Sequence, residues 1–167
     1  KKIQQKYPSF KISVSHTTRP PRSNEVNGVD YHFVSMEKFK ELIKQKKFYE
    51  YAEIYENYYG TLKENVDQTI IDNDIIFDID WQGTKQLSKF KNLKLIKIFL
   101  ITDSKKELKN RLIKRDQNSD EEIKKRFSAF DEDIKHWNDY DFIIINKNLD
   151  ACFKQIEKII ENSKKKI

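Results

Sequence analysis

Residues Asp74-Ile-Ile-Phe-Asp-Ile-Asp-Trp-Gln-Gly83 start as a nearly continuous apolar run and then present two carboxylates. Two further apolar runs, Lys94–Ile101 and Asp141–Asn146, follow in the chain, and helical patterns lie between the three runs. Apolar runs of this length are typical of strands that are buried on both faces of a parallel sheet. Their alternation with helices predicts an α/β fold.

The first half of the chain adds shorter strand patterns. Residues Tyr31–Ile54 contain two such patterns around a short helix, which we interpret as a small insertion. The strands predicted outside the three apolar runs are Lys11–Ser15, Tyr31–Ser35 and Phe48–Ile54. Capping boxes, in which side chains satisfy free amides at a helix start, are predicted for Thr61 with Glu64, Ser104 with Glu107, and Ser119 with Glu122.

Length and composition limit the class of protein. The 167 residues suit one compact domain, and no apolar run is long enough to span a bilayer, so we expect no membrane partner. The single cysteine, Cys152, excludes an internal disulfide and favours a reducing cytoplasm. The net charge of +6 is compatible with nucleic-acid binding. A solvated basic surface explains it better, and we predict no nucleic-acid partner.

Two arginines flank a Pro-Pro pair in the loop that follows the first predicted strand. The prolines stiffen the loop and hold Arg19 and Arg22 at a nearly fixed separation. Guanidinium groups donate paired hydrogen bonds to phosphate oxygens, and Tyr31 and Tyr59 could add hydroxyl donors. The pattern indicates a phosphate site. The alternative is a mobile basic loop that pairs with surface carboxylates such as Glu25.

One carboxylate is predicted to lie among apolar neighbours. With a period of two, Phe48, Glu50, Ala52 and Ile54 share one face of their strand, where an ionised carboxylate is costly unless a group pairs with it. The edge of guanine offers two adjacent donors, N1–H and the exocyclic amine, whereas N1 of adenine is an acceptor. Glu50 is therefore a candidate for guanine recognition. The alternative is a structural salt bridge to a lysine or arginine.

Asp78 and Asp80 close a buried strand and, being two residues apart, are predicted to project to one face. Paired carboxylates at this place could hold hydrated Mg²⁺ or accept hydroxyls of a nucleotide. The alternative is that Asp80 caps the following helix. The histidines show no metal-ligand spacing, and we predict no metal site made directly by protein ligands.

Three arginines lie on two predicted helices that a polar hinge joins. Arg111 and Arg115 stand one turn apart on one face, and Arg126 lies on the next helix. The pattern is compatible with a lid over about residues 111–128 that closes on an anionic substrate. The alternative is an ordinary charged helical hairpin. The apolar stripe predicted for the second helix is Ile123, Phe127, Ile134 and Trp137.

Taken together, four segments resemble the guanylate kinase family in order and spacing, over about Phe10 to Lys158. The segments are Val14-Ser-His-Thr-Thr-Arg19, Asn27-Gly-Val-Asp-Tyr31, Asn57-Tyr-Tyr-Gly-Thr61 and Asp78-Ile-Asp-Trp-Gln-Gly83. The resemblance implies a single domain over residues 1–167 with the P-loop nucleoside-monophosphate-kinase fold. That fold has a parallel sheet, a small mixed GMP-binding insertion at about residues 16–61, and a helical lid.

The resemblance also implies roles, position by position. The positions that match guanine recognition are Ser15, Glu50 and Thr61. Those that match the grip on the GMP phosphate are Arg19, Arg22, Tyr31 and Tyr59, and we add Glu25 from the same loop to the GMP-binding set. The paired acids near GMP and the metal-bound phosphates are Asp78 and Asp80. The lid arginines that reach ATP and the transferring group are Arg111, Arg115 and Arg126. The match to a contact with adenine is Asn146.

One part of the family pattern is missing from this sequence. The family begins with a strand and a Gly-rich P-loop, G-x-x-x-x-G-K-[ST], which cradles the ATP phosphates. The chain has only Gly28, Gly60 and Gly83, and Lys1–Lys6 resembles the tail of the helix that follows such a loop. We therefore expect an upstream segment that holds the P-loop strand and most of the first helix.

The resemblance implies an ATP:GMP phosphotransferase that uses ATP and Mg²⁺, provided that the P-loop lies upstream. We expect it in the cytoplasm, and its state as a monomer or homo-oligomer is left open. The alternative is an inactive guanylate-kinase-like module that binds phosphorylated peptides. Glu50 and the lid arginines argue against a module, because a peptide binder needs neither.

Overall fold

A computed structural model gives the structure of residues 2–114 and 120–164. The chain divides into two compact units, Lys1–Lys94 and Leu95–Ile167. The elements of the first unit are α1 (Lys2–Lys6), β1 (Phe10–Ile12), β2 (His16–Thr17), β3 (His32–Phe33), α2 (Met36–Lys44), β4 (Phe48–Ile54), β5 (Asn57–Leu62), α3 (Lys63–Thr69), β6 (Asp74–Ile76) and α4 (Trp81–Leu87). Those of the second unit are β7 (Ile98–Ile101), α5 (Lys105–Lys114), α6 (Asp120–Ile134), a 3₁₀ helix (Trp137–Asp139), β8 (Phe142–Ile145) and α7 (Leu149–Lys164).

Parallel strand pairs occur in both units, as the apolar runs predict. In the first unit β1 pairs with β6, and Phe10 lies opposite Asp74. In the second unit β7 pairs with β8, and Ile98 lies opposite Phe142. Helices alternate with these strands along the chain, which confirms the α/β prediction. Within the described ranges, no helix combines the length and the apolar composition needed to cross a bilayer.

The first unit also holds a mixed sheet of four strands in the order β3-β2-β5-β4. Strand β2 runs parallel to β3 and antiparallel to β5, and β5 runs antiparallel to β4. This sheet is built from the segment that the resemblance assigns to the GMP-binding insertion. Its longest strand, Phe48–Ile54, has the bounds predicted from the sequence.

Helix α2 covers one face of the mixed sheet. It begins after Ser35, whose hydroxyl accepts a hydrogen bond from the amide of Lys38 at 3.1 Å. Phe39 is fully buried, and its ring stacks on Phe48 at 4.6 Å and lies 5.4 Å from Tyr58. Burial of a side chain of this size contributes about 1.5–3 kcal/mol, so Phe39 holds the helix to the sheet.

A β-bulge in β4 changes the pattern predicted for that strand. The register with β5 shifts between Phe48 and Glu50. The ring of Phe48 lies 6.0 Å from that of Tyr51 and stacks against α2, whereas Glu50 lies against α4. The prediction that Phe48 and Glu50 share one face is wrong, because a bulge interrupts the period of two.

The parallel strands are shorter than the apolar runs that predict them. Strand β6 ends at Ile76, so Asp78 lies in the connection to α4 and Asp80 is the N-cap residue of that helix. The prediction that these two acids project to one face of a strand is therefore wrong, because strand alternation does not extend to them.

The helix starts agree with the capping boxes in one of the two places that the structure describes. The hydroxyl of Ser104 accepts a hydrogen bond from the amide of Glu107 at 3.2 Å, as predicted. The box at Thr61 is wrong, because Thr61 belongs to β5 and α3 begins after Leu62, which makes no side-chain cap bond. The third box includes Ser119, which lies outside the described residues. Trp137 lies in the 3₁₀ helix and is 46% exposed, so it is not part of a buried stripe of α6.

Candidate functional site

The strand register gathers several of the predicted site residues on the face of the mixed sheet opposite α2. Glu50 lies opposite Thr61, and Ala52 lies opposite Tyr59. Register partners in antiparallel strands share a face, as do residues two apart in one strand. Glu50, Tyr59 and Thr61 therefore share one face. Tyr31 joins them, because its ring lies edge-on to that of Tyr59 at 6.0 Å.

Arg19 stands at the centre of a cluster of polar and aromatic groups. One terminal nitrogen of its guanidinium group donates to both carboxylate oxygens of Glu25, at 2.8 and 2.9 Å. The guanidinium carbon lies 5.5 Å from the ring centroid of Tyr31 and 5.9 Å from that of Phe33. Contact of a cation with two ring faces and a carboxylate fixes the orientation of the guanidinium group.

Glu25 joins the two arginines of the loop. Its Oε2 accepts a hydrogen bond from the amide of Arg22 at 2.8 Å, and its Oε1 lies 3.6 Å from a guanidinium nitrogen of Arg22. Burial opposes ionisation, yet the hydrogen bonds from Arg19 and the Arg22 amide outweigh it and lower the pKa of Glu25. The arginines thus pair with Glu25, as the alternative interpretation of this loop expects, and the pairing sets their positions.

The tyrosine hydroxyl of the cluster remains a donor at neutral pH. Burial raises the pKa of Tyr31, and the neighbouring Tyr59 and Asp78 raise it further, while Arg19 opposes them. The exposed carboxylate of Asp78 is thus close enough to influence the Tyr31 hydroxyl. Asp78 thus acts electrostatically on Tyr31, whose ring lies beside Arg19.

Glu50 is buried, and it has no ionic partner within the described part of the chain. The residue is 3% exposed, and no lysine or arginine of the described chain forms an ion pair with it. Its Oε1 and the hydroxyl of the fully buried Thr61 both lack a hydrogen-bond partner among the described residues. The structural salt bridge considered as the alternative is not found among the residues that the structure describes. A carboxylate oxygen and a hydroxyl are thus left able to bind a ligand.

The pKa of Glu50 reflects this burial. Desolvation, together with a smaller contribution from the charge of Asp80, raises the pKa of Glu50 to about 7. Thr61 favours the ionised form but offsets only part of this effect. The group therefore changes its charge near neutral pH, as is typical of residues at functional sites.

Asp80 caps helix α4. Its Oδ1 accepts from the amide of Gly83 at 2.9 Å, and its Oδ2 accepts from the side-chain amide of Gln82 at 3.0 Å. The structure therefore confirms the alternative interpretation of Asp80 as a helix cap, and Asp78 is the more exposed of the two acids.

The half-buried Ser15 precedes β2, and its carbonyl oxygen accepts a hydrogen bond from the amide of His32 at 2.9 Å.

Sequence reasoning missed a close contact between Gly83 and Glu50. A Cβ atom built on Gly83 would lie 2.7 Å from Oε2 of Glu50. The available signal was a glycine three residues after a helix-capping aspartate, where a helix former is expected. Only the fold reveals which side chain approaches it.

In the second unit the structure connects Arg111 to Asn146. The Arg111 guanidinium donates from Nε to Glu107 at 2.7 Å, and from a terminal nitrogen to the carbonyl oxygens of Asn146 at 2.7 Å and Lys147 at 3.2 Å. The half-buried Arg126 lies on α6. Arg115 lies outside the described residues.

The donor set fits Mg²⁺ only in combination with a nucleotide. Over residues 2–114 and 120–164, no group of three or more His, Cys, Asp or Glu side chains could hold a metal ion. Mg²⁺ is usually bound by one or two carboxylates together with substrate phosphates and water. The exposed carboxylate of Asp78 is a hard oxygen donor of that kind.

Comparison with known proteins identifies the family. The guanylate kinase family profile matches residues 1–163. The chain is 44% identical to the guanylate kinase of Shewanella violacea over 97% of its length and 78% of that protein. It is 41% identical to that of Paramagnetospirillum magneticum over 92% of its length and 72% of that protein. A crystal structure of guanylate kinase from Anaplasma phagocytophilum superposes with a TM-score of 0.77 at 28% identity, covering 96% of this chain and 79% of that one. With its buried carboxylate and arginine cluster at positions that match the family motifs, the chain belongs to the guanylate kinase family.

Proposed function

We propose that this chain is an enzyme that transfers the terminal phosphoryl group of ATP to GMP, giving ADP and GDP. The observation that carries the proposal is the buried carboxylate of Glu50, whose Oε1 has no hydrogen-bond partner among the described residues, on the sheet face that also carries Tyr59 of the arginine cluster. A ligand that binds both the Glu50 carboxylate and the arginine cluster needs a base with two adjacent donors and an anionic phosphate. GMP has both.

Base selection is assigned to Glu50 with Thr61 and Ser15. The ionised carboxylate accepts hydrogen bonds from N1–H and the exocyclic amine of guanine, which removes the penalty of an unpaired buried acceptor. Adenine presents an acceptor at N1 and would leave that penalty in place. Rejection of AMP follows from the same physical reason.

Phosphate binding is assigned to the arginine cluster. Arg19 and Arg22 supply the positive charge, and the hydroxyls of Tyr31 and Tyr59 supply neutral donors. The high pKa of Tyr31 supports this assignment, because a protonated hydroxyl donates to a phosphate oxygen. Glu25 is assigned the role of holding the guanidinium groups, which rests on its hydrogen bonds to both arginines.

The transfer step needs little covalent chemistry from the protein. An oxygen of the GMP phosphate attacks the γ-phosphorus of ATP, the bond to the β–γ bridging oxygen breaks, and ADP leaves. No general base is required, because the attacking oxygen is already anionic. Arg111, Arg115 and Arg126 are assigned to neutralise phosphate charge, and Asn146 to contact adenine.

Mg²⁺ is the proposed cofactor of the transfer. Asp78 would hold Mg²⁺ together with the nucleotide phosphates, and the bound ion would neutralise their charge. Asp80 contributes by capping α4 beside Glu50. The single-domain organisation and the cytoplasmic location stay predictions from the sequence.

The test is GMP-dependent release of ADP by the full-length protein with Mg-ATP. We expect turnover with GMP and little with AMP, and Glu50→Gln should weaken GMP tenfold or more while sparing ATP. A full-length protein that binds GMP but releases no ADP would instead favour a binding module. Each relative named above is called a guanylate kinase, which supports the enzyme over the module.

A further inference from the structure

We infer that Gly83 determines base specificity: the lack of a side chain at Gly83 keeps the Glu50 carboxylate in the place where it accepts hydrogen bonds from guanine. The inference rests on the proposed function, because it takes Glu50 as the residue that recognises the base. Gly83 acts through Glu50 and is therefore a positioning residue.

The contact between the two residues leaves no room for a side chain. A Cβ on Gly83 would lie 2.7 Å from Oε2 and 3.3 Å from Cδ of Glu50, whereas ordinary van der Waals contact begins near 3.4 Å. Gly83 is buried, and Glu50 is 3% exposed. Any larger residue at position 83 therefore requires a buried neighbour to move.

The carboxylate is the part that moves. The amide of Gly83 donates to Asp80 at 2.9 Å within helix α4, which fixes the backbone. The atoms nearest to the added Cβ are side-chain atoms, namely two of Glu50 and the Cβ of Ile79 at 3.2 Å. The Cβ of Ile79 is attached directly to the backbone and has little freedom to move. The carboxylate of Glu50, in contrast, ends a flexible side chain.

A small displacement is enough to disturb base recognition. To restore ordinary contact, Oε2 must retreat by about 0.7 Å from its present distance of 2.7 Å. Two parallel hydrogen bonds to one base edge require both oxygens in line with their donors. A misplacement of about 1 Å in a positioned group can cost about a hundredfold in rate, so binding should respond as well.

Backbone conformation and helix stability do not explain the glycine. Gly28 is the glycine with a positive φ in the structure, so Gly83 has a conformation that any residue can adopt. Glycine in a helix interior is about 0.8–1 kcal/mol less favourable than alanine. The remaining physical reason is the space that neighbouring side chains occupy, and the shortest contact is with Oε2 of Glu50 at 2.7 Å, ahead of the Cβ of Ile79 at 3.2 Å.

A double-mutant cycle with the full-length protein tests the inference. The variants are Gly83→Ala, Glu50→Gln and the two combined, and Lys85→Ala on the exposed side of α4 is the matched control. Calorimetry at pH 8, where Glu50 is ionised, gives Kd for GMP and for inosine monophosphate, which lacks the exocyclic amine.

We expect Gly83→Ala to weaken GMP tenfold or more and to reduce the preference for GMP over inosine monophosphate. In the Glu50→Gln background the same change should alter GMP affinity less than twofold, and Lys85→Ala should alter neither ligand. The folded state should persist in Gly83→Ala, as thermal denaturation would report.

Equal weakening by Gly83→Ala in both backgrounds would overturn the inference, as would unchanged GMP affinity in the single variant. A Gly83→Ala chain that does not fold would also overturn it, because the inference requires the side chain and not the backbone to yield. If Glu50→Gln itself binds GMP like the parent, the base recognition in the proposed function fails, and this inference fails with it.

Discussion

The burial of Glu50 makes the stability of the protein depend on pH in a calculable way. Its pKa is about 7 in the folded chain, against an ordinary value of 4.5. Between these values the folded state binds more protons than the unfolded state, so the free energy of unfolding falls as pH rises from about 4.5 to about 7. The difference between the two pKa values corresponds to about 3 kcal/mol. Because the side chain is 3% exposed, solvent screening reduces this little.

Glu50→Gln keeps the shape of the side chain and removes its titration. We expect the free energy of unfolding of the variant, minus that of the parent, to become more positive by up to about 3 kcal/mol between pH 4.5 and pH 8. Taking the difference cancels the other titrating groups, which both proteins share. Urea denaturation at both pH values measures it. A difference that is flat with pH would refute the reasoning.

The same ionisation should control GMP binding. Below about pH 7 the free protein must release a proton from Glu50 before the carboxylate can accept hydrogen bonds from guanine. Kd for GMP should therefore rise about tenfold for each pH unit by which the pH falls below about 7. The GMP phosphate also titrates near pH 6, and subtracting the pH profile of Glu50→Gln removes that contribution. If the parent and the variant show the same profile in calorimetry, Glu50 does not carry the dependence.

Three further outcomes test other parts of the site. Arg19→Lys keeps the charge but loses the planar fork, so calorimetry should show GMP weakened about tenfold and guanosine nearly unchanged; equal weakening would mean that the loop acts through folding. Arg126→Ala in the full-length protein should lower kcat by about 10³-fold or more while GMP affinity stays within a few-fold, and unchanged turnover would remove it from the lid. Gly60→Ala would bring a Cβ within 2.9 Å of the backbone oxygen of Glu50 and of Tyr51 Cβ. It should therefore lower stability by about 1–3 kcal/mol in thermal denaturation, and an unchanged Tm would contradict the close strand approach.

Local patterns in the sequence predicted the features that depend on neighbouring residues. The strand Phe48–Ile54 and the cap at Ser104 depend on alternation and on a short hydrogen-bonding motif, and both are found. The burial of Glu50 was predicted as well, although Phe48 lies on the opposite face and helix α4 lies against the carboxylate. The strand and the cap could be predicted because the interacting groups lie within a few residues of one another.

The features that were missed depend on contacts between distant segments. The bulge after Phe48 arises from pairing with β5, and no composition signal marks it. The contact between Gly83 and Glu50 joins two elements 33 positions apart in the chain. The sequence left open whether Asp80 ends a strand or caps a helix. Only the structure, in which β6 ends at Ile76, shows that Asp80 is a helix cap.

The bond between Arg19 and Glu25 has a consequence for the way ions compete at this loop. Two guanidinium charges and one carboxylate leave the cluster with a net charge of +1, so the loop already carries its own counter-ion. A phosphate that binds there shares Arg19 and Arg22 with the Glu25 carboxylate, and its binding releases few counter-ions from the loop. The affinity for GMP should consequently fall only gently as chloride or sulfate is added, much less than for two unaccompanied arginines. Glu25→Gln would remove that carboxylate, so the loop should bind buffer anions less selectively and GMP affinity should depend more strongly on salt.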